Sequence, residues 1–456
     1  MKFTRPQKPR SAASRRPNWR EYQSQLKRRR PGRGSLVLLF KGVGLAAVLM
    51  AVLWAALREG DSHHRPTASP QPAQAAVDRS PTALLSKADV RDLLADRSTA
   101  DLVKKRFFVR WGDRKLAVES SIDETLQAYL TQRLYEKTSR YIAIVVMEAA
   151  SGRILALVGF DKHDRAGNPC LHSSFPAASV FKIVTAGAAI EHCHLSSGST
   201  LTYNGAKHTL YKSQIKDIDN RYTHRTTLAA SFAQSVNPVF GKLGRHCLGR
   251  EAITRYADAF GFNRAIPFEL PLPASRAVVT EEPYQWAEVA SGFNRTTLIS
   301  PLHGAIIAAV PANAGILVEP TIVDRITGPG DHVLYRARRQ DRMRAVSHET
   351  AKEIERLMRE TVRRGTARKV FRTRTKDPVL SQLVIGGKTG SIDNAGHDAR
   401  YDWFVGFARH DRHREAMAVA VVVAHEKYIG RRAGEYARLA MKEYFRRRIP
   451  AAGQSS

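Results

Sequence analysis

The longest apolar stretch in the chain begins at Leu36 and ends at Leu57, broken only by Lys41 and carrying Trp54 near its far end. Residues 36–57 match the roughly 20 apolar residues that a helix needs to cross a bilayer. Later hydrophobic positions fall into shorter groups. After Phe175-Pro176, the positions Phe181, Ile183, Val184, Ala186, Ala188, Ala189 and Ile190 predict a helix buried on most sides. Residues 228–234 read as another helical segment, which Pro238 ends or kinks. Residues 383–387, 402–407 and 417–424 predict strands, with His410 to Arg414 as a solvated hairpin turn between the last two. Nearer the N-terminus, residues 83–105 predict a short helix and residues 107–118 a strand.

The polar intervals divide the chain. Residues 1–35 hold twelve Lys or Arg, among them Lys27-Arg28-Arg29-Arg30, against one acid, Glu21. A basic segment ahead of an apolar span predicts an N-terminus on the cytoplasmic side and the remainder outside the inner membrane, a single-pass topology. No clean small-x-small site follows the span, so a retained anchor is expected rather than a cleaved signal peptide. Residues 58–82, with His63-His64-Arg65-Pro66 and the Pro, Gln and Ala residues after Ser69, lack the apolar content to fold and predict a linker. The expected organisation is a basic cytoplasmic tail (1–35), a transmembrane helix (36–57), a linker (58–82), a short juxtamembrane region (83–117), one large domain (118–449) and a terminal tail (450–456).

The pattern S-x-x-K occurs three times. Ser24 to Lys27 lies in the basic tail, and Ser213 to Lys216 in a polar stretch continuing through Asp217 and Asp219. Only Ser179-Val180-Phe181-Lys182 opens a buried helix. Residues three apart share a helix face, so Lys182 can reach the Ser179 hydroxyl. A serine is a weak nucleophile until a base takes its proton. A lysine is such a base only when neutral, which burial and a second cation promote; Lys388 is the candidate cation. Ser235-Val236-Asn237 closes the second helical segment. Ser235 can relay a proton and Asn237 can hold a substrate amide, although both residue types are also common at helix ends. Lys388-Thr389-Gly390 ends a glycine-lined strand that a substrate backbone can approach closely. Its Lys and Thr suit a carboxylate. Val180 and Phe181, beside the hydroxyl, are expected to disfavour an ordered water.

In that order, the three motifs resemble the active-site set of the penicillin-interacting serine acyltransferases. Over roughly residues 118–425 the chain is similar to the penicillin-binding proteins, specifically a membrane-anchored transpeptidase domain of the monofunctional kind. Ser121-Ile122-Asp123 with Leu126-Gln127 resembles the family's lead-in, and residues 142–158 its opening hairpin. Residues 296–320, with Ala312-Asn313-Ala314-Gly315, resemble its helix and A-N-G-G-type turn. Gly365-Thr366-Ala367 and the run from Trp403 to Phe407 also fit. The resemblance implies an α+β fold of the penicillin-binding/serine β-lactamase type: an antiparallel sheet flanked by helices, plus an all-helical subdomain, preceded by the transmembrane helix. It implies Ser179 as acylated nucleophile, Lys182 as its base and Ser235 in the catalytic set. It places Asn237, Lys388, Thr389, Gly390 and Ser391 at the substrate, with the backbone N–H groups of Ser179 and Ser391 as an oxyanion hole. Three departures stand out. The family's I-G-Q-G-like turn reads Ala290-Ser291-Gly292-Phe293, Ala314 replaces the first glycine of A-N-G-G, and the stretch from Asn237 to Lys388 is short. These point to a trimmed substrate groove.

The implied activity is D,D-transpeptidation of peptidoglycan stem peptides, inhibited by β-lactams, without cofactor or metal, and with cell-wall synthesis proteins as partners. A D,D-carboxypeptidase or serine β-lactamase is the nearest alternative. A class A β-lactamase needs a glutamate in an E-x-x-L-N setting, which is missing between Asn237 and Lys388, and a class D enzyme carries valine where Asn237 stands. A sensor or scaffold is a further alternative, against which the intact trio counts.

Charge and cysteine content add two points. Residues 1–57 account for +12 of the formal +31, leaving +19 beyond them. Such a surface suits anionic phospholipid or wall polymer. Nucleic acid is the usual partner of so basic a chain, but the span between tail and domain argues against it. Cys170, Cys193 and Cys247 permit one disulfide with one thiol left over, the pair being unreadable. His192-Cys193-His194 lacks a second ligand group at metal-site spacing and is expected to be a surface loop.

Overall fold

The computed structural model describes residues 84–97, 99–410 and 415–449. The basic tail with Ser24, the 36–57 span, the linker and the 450–456 tail lie outside the described residues, as does most of the expected 410–414 turn. Among the described residues no helix is long and apolar enough to cross a membrane.

The strands of the two larger sheets are, in chain order, β1 (Arg106–Trp111), β2 (Arg114–Ser120), β3 (Ser139–Glu148), β4 (Ile154–Asp161), β5 (Val323–Thr327), β6 (Val333–Arg336), β7 (Leu383–Asp393), β8 (Arg400–His410) and β9 (Ala416–His425). Helix α1 (Lys87–Leu94) precedes them, started by a capping box between Ser86 and Asp89. The strand expected at 107–118 is a hairpin, β1 and β2, turning at Gly112 with φ +58°. Glycine adopts that left-handed conformation without strain, and so tight a turn barely interrupts the alternating pattern. β2 pairs in turn with β5, giving an antiparallel sheet of order β1-β2-β5-β6. The boundary expected between 117 and 118 therefore falls inside β2, and the residues on either side of it belong to the same folded unit.

The main sheet is antiparallel, in the order β7-β8-β9-β3-β4. Successive side chains on a strand point to opposite faces. On β9, Met417, Val419, Val421 and Val423 join one apolar cluster with α2 (Glu124–Thr131) and the C-terminal helix, while Ala418, Ala420 and Val422 join another with the central helices. Every β9 residue is buried, so its sequence is a continuous apolar run. The central helices are α3 (Lys182–His192), α4 (Leu228–Ala233), α5 (Asn237–Lys242), α6 (Gly249–Ala259), α7 (Pro283–Ser291), α8 (Pro301–Ala312) and α9 (His348–Arg363); the C-terminal helix is α10 (Ala433–Arg446). Small residues let α8 lie close to the sheet: a Cβ on Gly304 would be 3.2 Å from that of Ala420. The expected all-helical subdomain is predominantly helical but holds two short strand pairs, Phe175–Pro176 with Leu298–Ile299 and Thr200–Tyr203 with His224–Thr227.

Cys193, at the end of α3, is bonded to Cys247, 54 residues on, in the irregular turn before α6; Cys170 is free and buried, and burial pushes its thiol pKa up. Closing a loop of that length restricts the unfolded chain and is worth about 2–4 kcal/mol. The double variant Cys193→Ser/Cys247→Ser is expected to lose that much unfolding free energy, read from urea denaturation. An unchanged midpoint would show that the bridge does not stabilise the domain.

Candidate active site

Ala178–Phe181 forms one 3-10 turn that runs into α3 at Lys182. Residues i and i+3 eclipse in such a turn, and Lys182 Nζ lies 2.8 Å from Ser179 Oγ. Ala178 takes φ +48°, a strained conformation for alanine. It is backed by Gly292, which ends α7 with φ +64°; a Cβ there would fall 1.9 Å from the Ala178 carbonyl oxygen. Val180 and Phe181 turn into the core, Phe181 against Phe262 with ring centroids 5.3 Å apart. They do not wall the cleft, so the water exclusion expected of them is not theirs to provide.

Lys182 is fully buried. Besides Ser179 its Nζ meets Asn237 Oδ1 at 2.7 Å and the Ser291 carbonyl oxygen, both of which only accept. Asn237 is held in that orientation by its Nδ2, which donates to the His208 carbonyl at 3.1 Å. Burial first, and the charge of Lys388 second, hold the Lys182 pKa well below the usual lysine range. A neutral amine has two N–H groups and one lone pair. With both N–H groups directed to Asn237 and Ser291, the lone pair is left facing the Ser179 hydroxyl.

The second motif is a helix end and a chemical site at once. α4 closes in a Schellman motif: the Ser235 N–H donates to the Phe232 carbonyl at 3.1 Å and the Val236 N–H to that of Ser231 at 2.9 Å. Ser235 takes the left-handed position, φ +56°, where glycine is usual. Its Oγ accepts from Lys388 Nζ at 3.0 Å. The break expected at Pro238 thus comes earlier, at Ser235, and Pro238 starts the next helix, α5, where its missing N–H costs nothing.

Lys388 is also fully buried, and burial lowers its pKa to about 7. It lies on β7, the sheet's edge strand. Gly390 brings β7 against the nucleophile turn: a Cβ there would be 3.3 Å from the Ser179 backbone nitrogen. Thr389 Oγ1 is hydrogen-bonded to Thr366 Oγ1, and the Thr366 N–H donates to the Ala233 carbonyl at 3.0 Å, tying the Gly365-Thr366-Ala367 turn to the end of α4. Ser391 Oγ lies 3.5 Å from Asp402 Oδ1. Ser179, Ser235, Asn237, Thr389, Gly390 and Ser391 line one cleft of about 490 Å³, with the two lysines set behind its wall. Ser213, by contrast, is exposed on the single turn Lys212–Ile215.

Three contributors are not among the residues to which the sequence assigns a role. Ser291 acts through its carbonyl, which any residue carries. Thr366 reaches the site from a turn 23 residues before its partner Thr389. His208 lines the cleft from a polar loop; desolvation and the neighbouring cations lower its pKa, against a hydrogen bond to the Ser235 backbone that raises it. Cys193 of the His192-Cys193-His194 run is taken by the disulfide, and among the described residues no group of three or more potential ligands is placed to hold a metal.

An antiparallel sheet joined to a helical region, with an S-x-x-K serine at their seam, defines a class of acyl-transferring proteins. Residues 142–442 match the family model described as the penicillin binding protein transpeptidase domain, and the chain belongs to that family. It is 27% identical over 314 residues to the peptidoglycan D,D-transpeptidase PbpA of Mycobacterium tuberculosis, covering 61% of each chain. It is 25% identical over 329 residues to the penicillin-binding protein PbpB of Mycolicibacterium smegmatis, covering 66% of this chain and 50% of that one. It thus spans about three-fifths of the former and half of the latter. The fold is shared with the crystal structure of PBPA from Mycobacterium tuberculosis, at TM-score 0.57 and 23% identity over 72% of this chain and 80% of that one. The D,D-transpeptidase domain of a peptidoglycan glycosyltransferase from Eggerthella lenta gives TM-score 0.59 and 22% identity over 73% and 83%.

With Lys182 as the base of Ser179, its depressed pKa would set the pH dependence of acylation. Below that pKa the amine holds a proton and cannot take one from Ser179. With an ordinary lysine the acylation rate constant would climb about tenfold per pH unit until near 10.5. Here penicillin acylation, followed by stopped-flow, is expected to reach its plateau well before that pH and to fall only on the acid side. Lys388→Met is expected to move the acid limb to higher pH, because the second cation that disfavours Lys182 protonation is gone. A rate still climbing about tenfold per pH unit up to about pH 10 would show that the Lys182 pKa is not depressed.

Proposed function

We propose that the protein is a membrane-anchored peptidoglycan D,D-transpeptidase working through an acyl-enzyme on Ser179. The observation that carries this reading is the contact set of Lys182, whose two acceptor-only partners leave its lone pair on the serine. Lys182 takes the Ser179 proton as Oγ attacks the carbonyl of the penultimate D-alanine. The backbone N–H groups of Ser179 and Ser391 hold the oxyanion. The proton passes through Ser235 to the departing D-alanine nitrogen, and the C–N bond breaks to leave an ester. The amine of a neighbouring stem peptide then attacks that ester and returns the proton to Ser179. Thr389 and Thr366 bind the terminal carboxylate, Asn237 the donor amide, and Lys388 supplies positive field from behind Ser235.

Fast hydrolysis of the ester needs a base beside it on a water. Among the described residues the acids lining the cleft are Asp393 and Asp402, with no glutamate, and Asp402 is engaged by the Ala433 N–H at 2.9 Å. This favours transfer to an amine over a carboxypeptidase or β-lactamase. The names of the PbpA relatives and a ceftriaxone acyl-enzyme complex of PBPA from Mycobacterium tuberculosis support the same chemistry. The 36–57 span and basic tail support a single-pass anchor with the domain outside the inner membrane, where the Cys193–Cys247 bridge is at home. There the basic surface would face anionic lipid or wall polymer, beside cell-wall synthesis partners.

Ser179→Ala is expected to abolish covalent penicillin labelling while Ser213→Ala leaves it intact, as judged by intact-protein mass. The wild-type adduct should outlast many catalytic turnovers. Steady penicillin hydrolysis near the common enzyme rate of about 10 s⁻¹ would favour the hydrolase instead. Topology is checked by a reporter active only outside the cytoplasm, fused after Ser456. It should be active; activity of a cytoplasmic reporter at the same place would reverse the orientation and remove the peptidoglycan reading.

A further inference from the structure

We infer that Arg295 and Arg400 form a subsite for a carboxylate on the donor peptide, upstream of the residue acylated at Ser179. This rests on the acyl-transfer reading above. β7 is an edge strand whose Ser391–Asp393 end is open, and such an edge can accept an extended peptide alongside it. With the terminal carboxylate at Thr389 and the reacting carbonyl at Ser391, the preceding part of the donor runs towards Ile392 and Asp393. Two residues of extended chain cover about 7 Å, within side-chain reach of the far end of the cleft.

That end is lined by Arg295, Asp393 and Arg400, with Asp402 and Arg432 beside them. Arg295 is fastened to the strand: its Nε donates to the Asp393 carbonyl at 2.7 Å, leaving its Nη groups to a ligand. Arg400 stands directly opposite Asp393 across the β7–β8 hairpin, so the two side chains share a face. Neither guanidinium forms an ion pair among the described residues. Arg432 differs, since it lies 3.7 Å from Asp402, whose other oxygen takes the Ala433 N–H. Arg295 and Arg400, neither of them ion-paired, therefore outnumber the one unbridged carboxylate, Asp393, among the described residues there, and the end of the cleft is net cationic. A guanidinium presents paired donors matched to a carboxylate, so the chemistry recognised is an acidic side chain rather than a neutral or basic one. The contrary occupant, an amine held by Asp393, is an outcome of the test.

The test uses the full chain and three peptides ending in D-Ala-D-Ala, with glutamate, glutamine or lysine immediately before the acylated residue. The readout is the concentration of each that halves the rate of fluorescent-penicillin labelling, so no turnover is needed. The glutamate peptide is expected to protect about tenfold better than its glutamine isostere, the size of one charge-assisted contact. In Arg295→Gln/Arg400→Gln the ratio should fall to near one. The ratio is internal, so a smaller folded fraction cancels from it. Equal protection by glutamate and glutamine, no protection by any peptide, better protection by lysine, or an unchanged ratio in the double variant would each overturn the subsite while leaving the Ser179 chemistry standing. Absence of penicillin labelling in the wild type would overturn both.

Discussion

Two lysine side chains, Lys182 and Lys388, are buried side by side behind the cleft wall, each with zero exposure and neither ion-paired to a carboxylate among the described residues. Burying an unpaired ammonium is among the most expensive arrangements in a protein interior. The structure meets the constraint by giving both amines neutral acceptors and by letting burial lower both pKa values, that of Lys388 to about 7. Each also lies 5.5 Å from an aromatic ring centroid, Phe240 for Lys182 and Phe232 for Lys388, an orientation that tolerates whatever positive charge remains. On the proposed mechanism, the activation of Ser179 is thus a by-product of where the lysines are put.

The lysines come from different parts of the fold, so their arrangement depends on how closely backbones can pack. The seam is held by contacts without side chains: Gly292 against Ala178, Gly390 against Ser179, and Gly365 against Ala233, where a Cβ would lie 2.3 Å from the carbonyl oxygen. Trp403 adds a bolt, its Nε1 donating to the Pro176 carbonyl at 2.9 Å. This explains why two departures from the family pattern are tolerated. Ser291 contributes a carbonyl, and the glycine that matters in that turn, Gly292, is present. At the other turn Ala314 itself adopts φ +55°, whereas Gly315, beside which a Cβ would meet the Val346 carbonyl oxygen at 2.2 Å, has kept its glycine.

What could be read from sequence was whatever a local pattern repeats or a motif concentrates. The buried helix after Ser179, the strands of the main sheet and the three motif segments announce themselves through apolar runs and fixed spacing, and the structure brings those segments to one cleft. The hairpin at Gly112 was hidden because a two-residue turn hardly disturbs an alternating pattern. The end of α4 was placed at Pro238 rather than Ser235, since a serine in a left-handed cap has no sequence mark of its own. Ser291 and Thr366 lie in segments set against the family's pattern, yet their contacts, like those of His208, are not legible because they act through backbone atoms or arrive from distant loops. The Cys193–Cys247 pairing was equally unreadable: it depends on which helix ends meet in space.

Ser235 joins two demands at one φ angle. The cap that ends α4 is satisfied best by glycine, which takes the left-handed region without penalty, so the position has a more stable occupant that the chain does not use. The hydroxyl facing Lys388 is what glycine would remove. On the proposed role of Ser235, a local gain in stability and a loss of proton transfer are therefore the same substitution. Selection for a more robust fold would run directly against function at this residue, a stability–activity conflict confined to a single peptide unit.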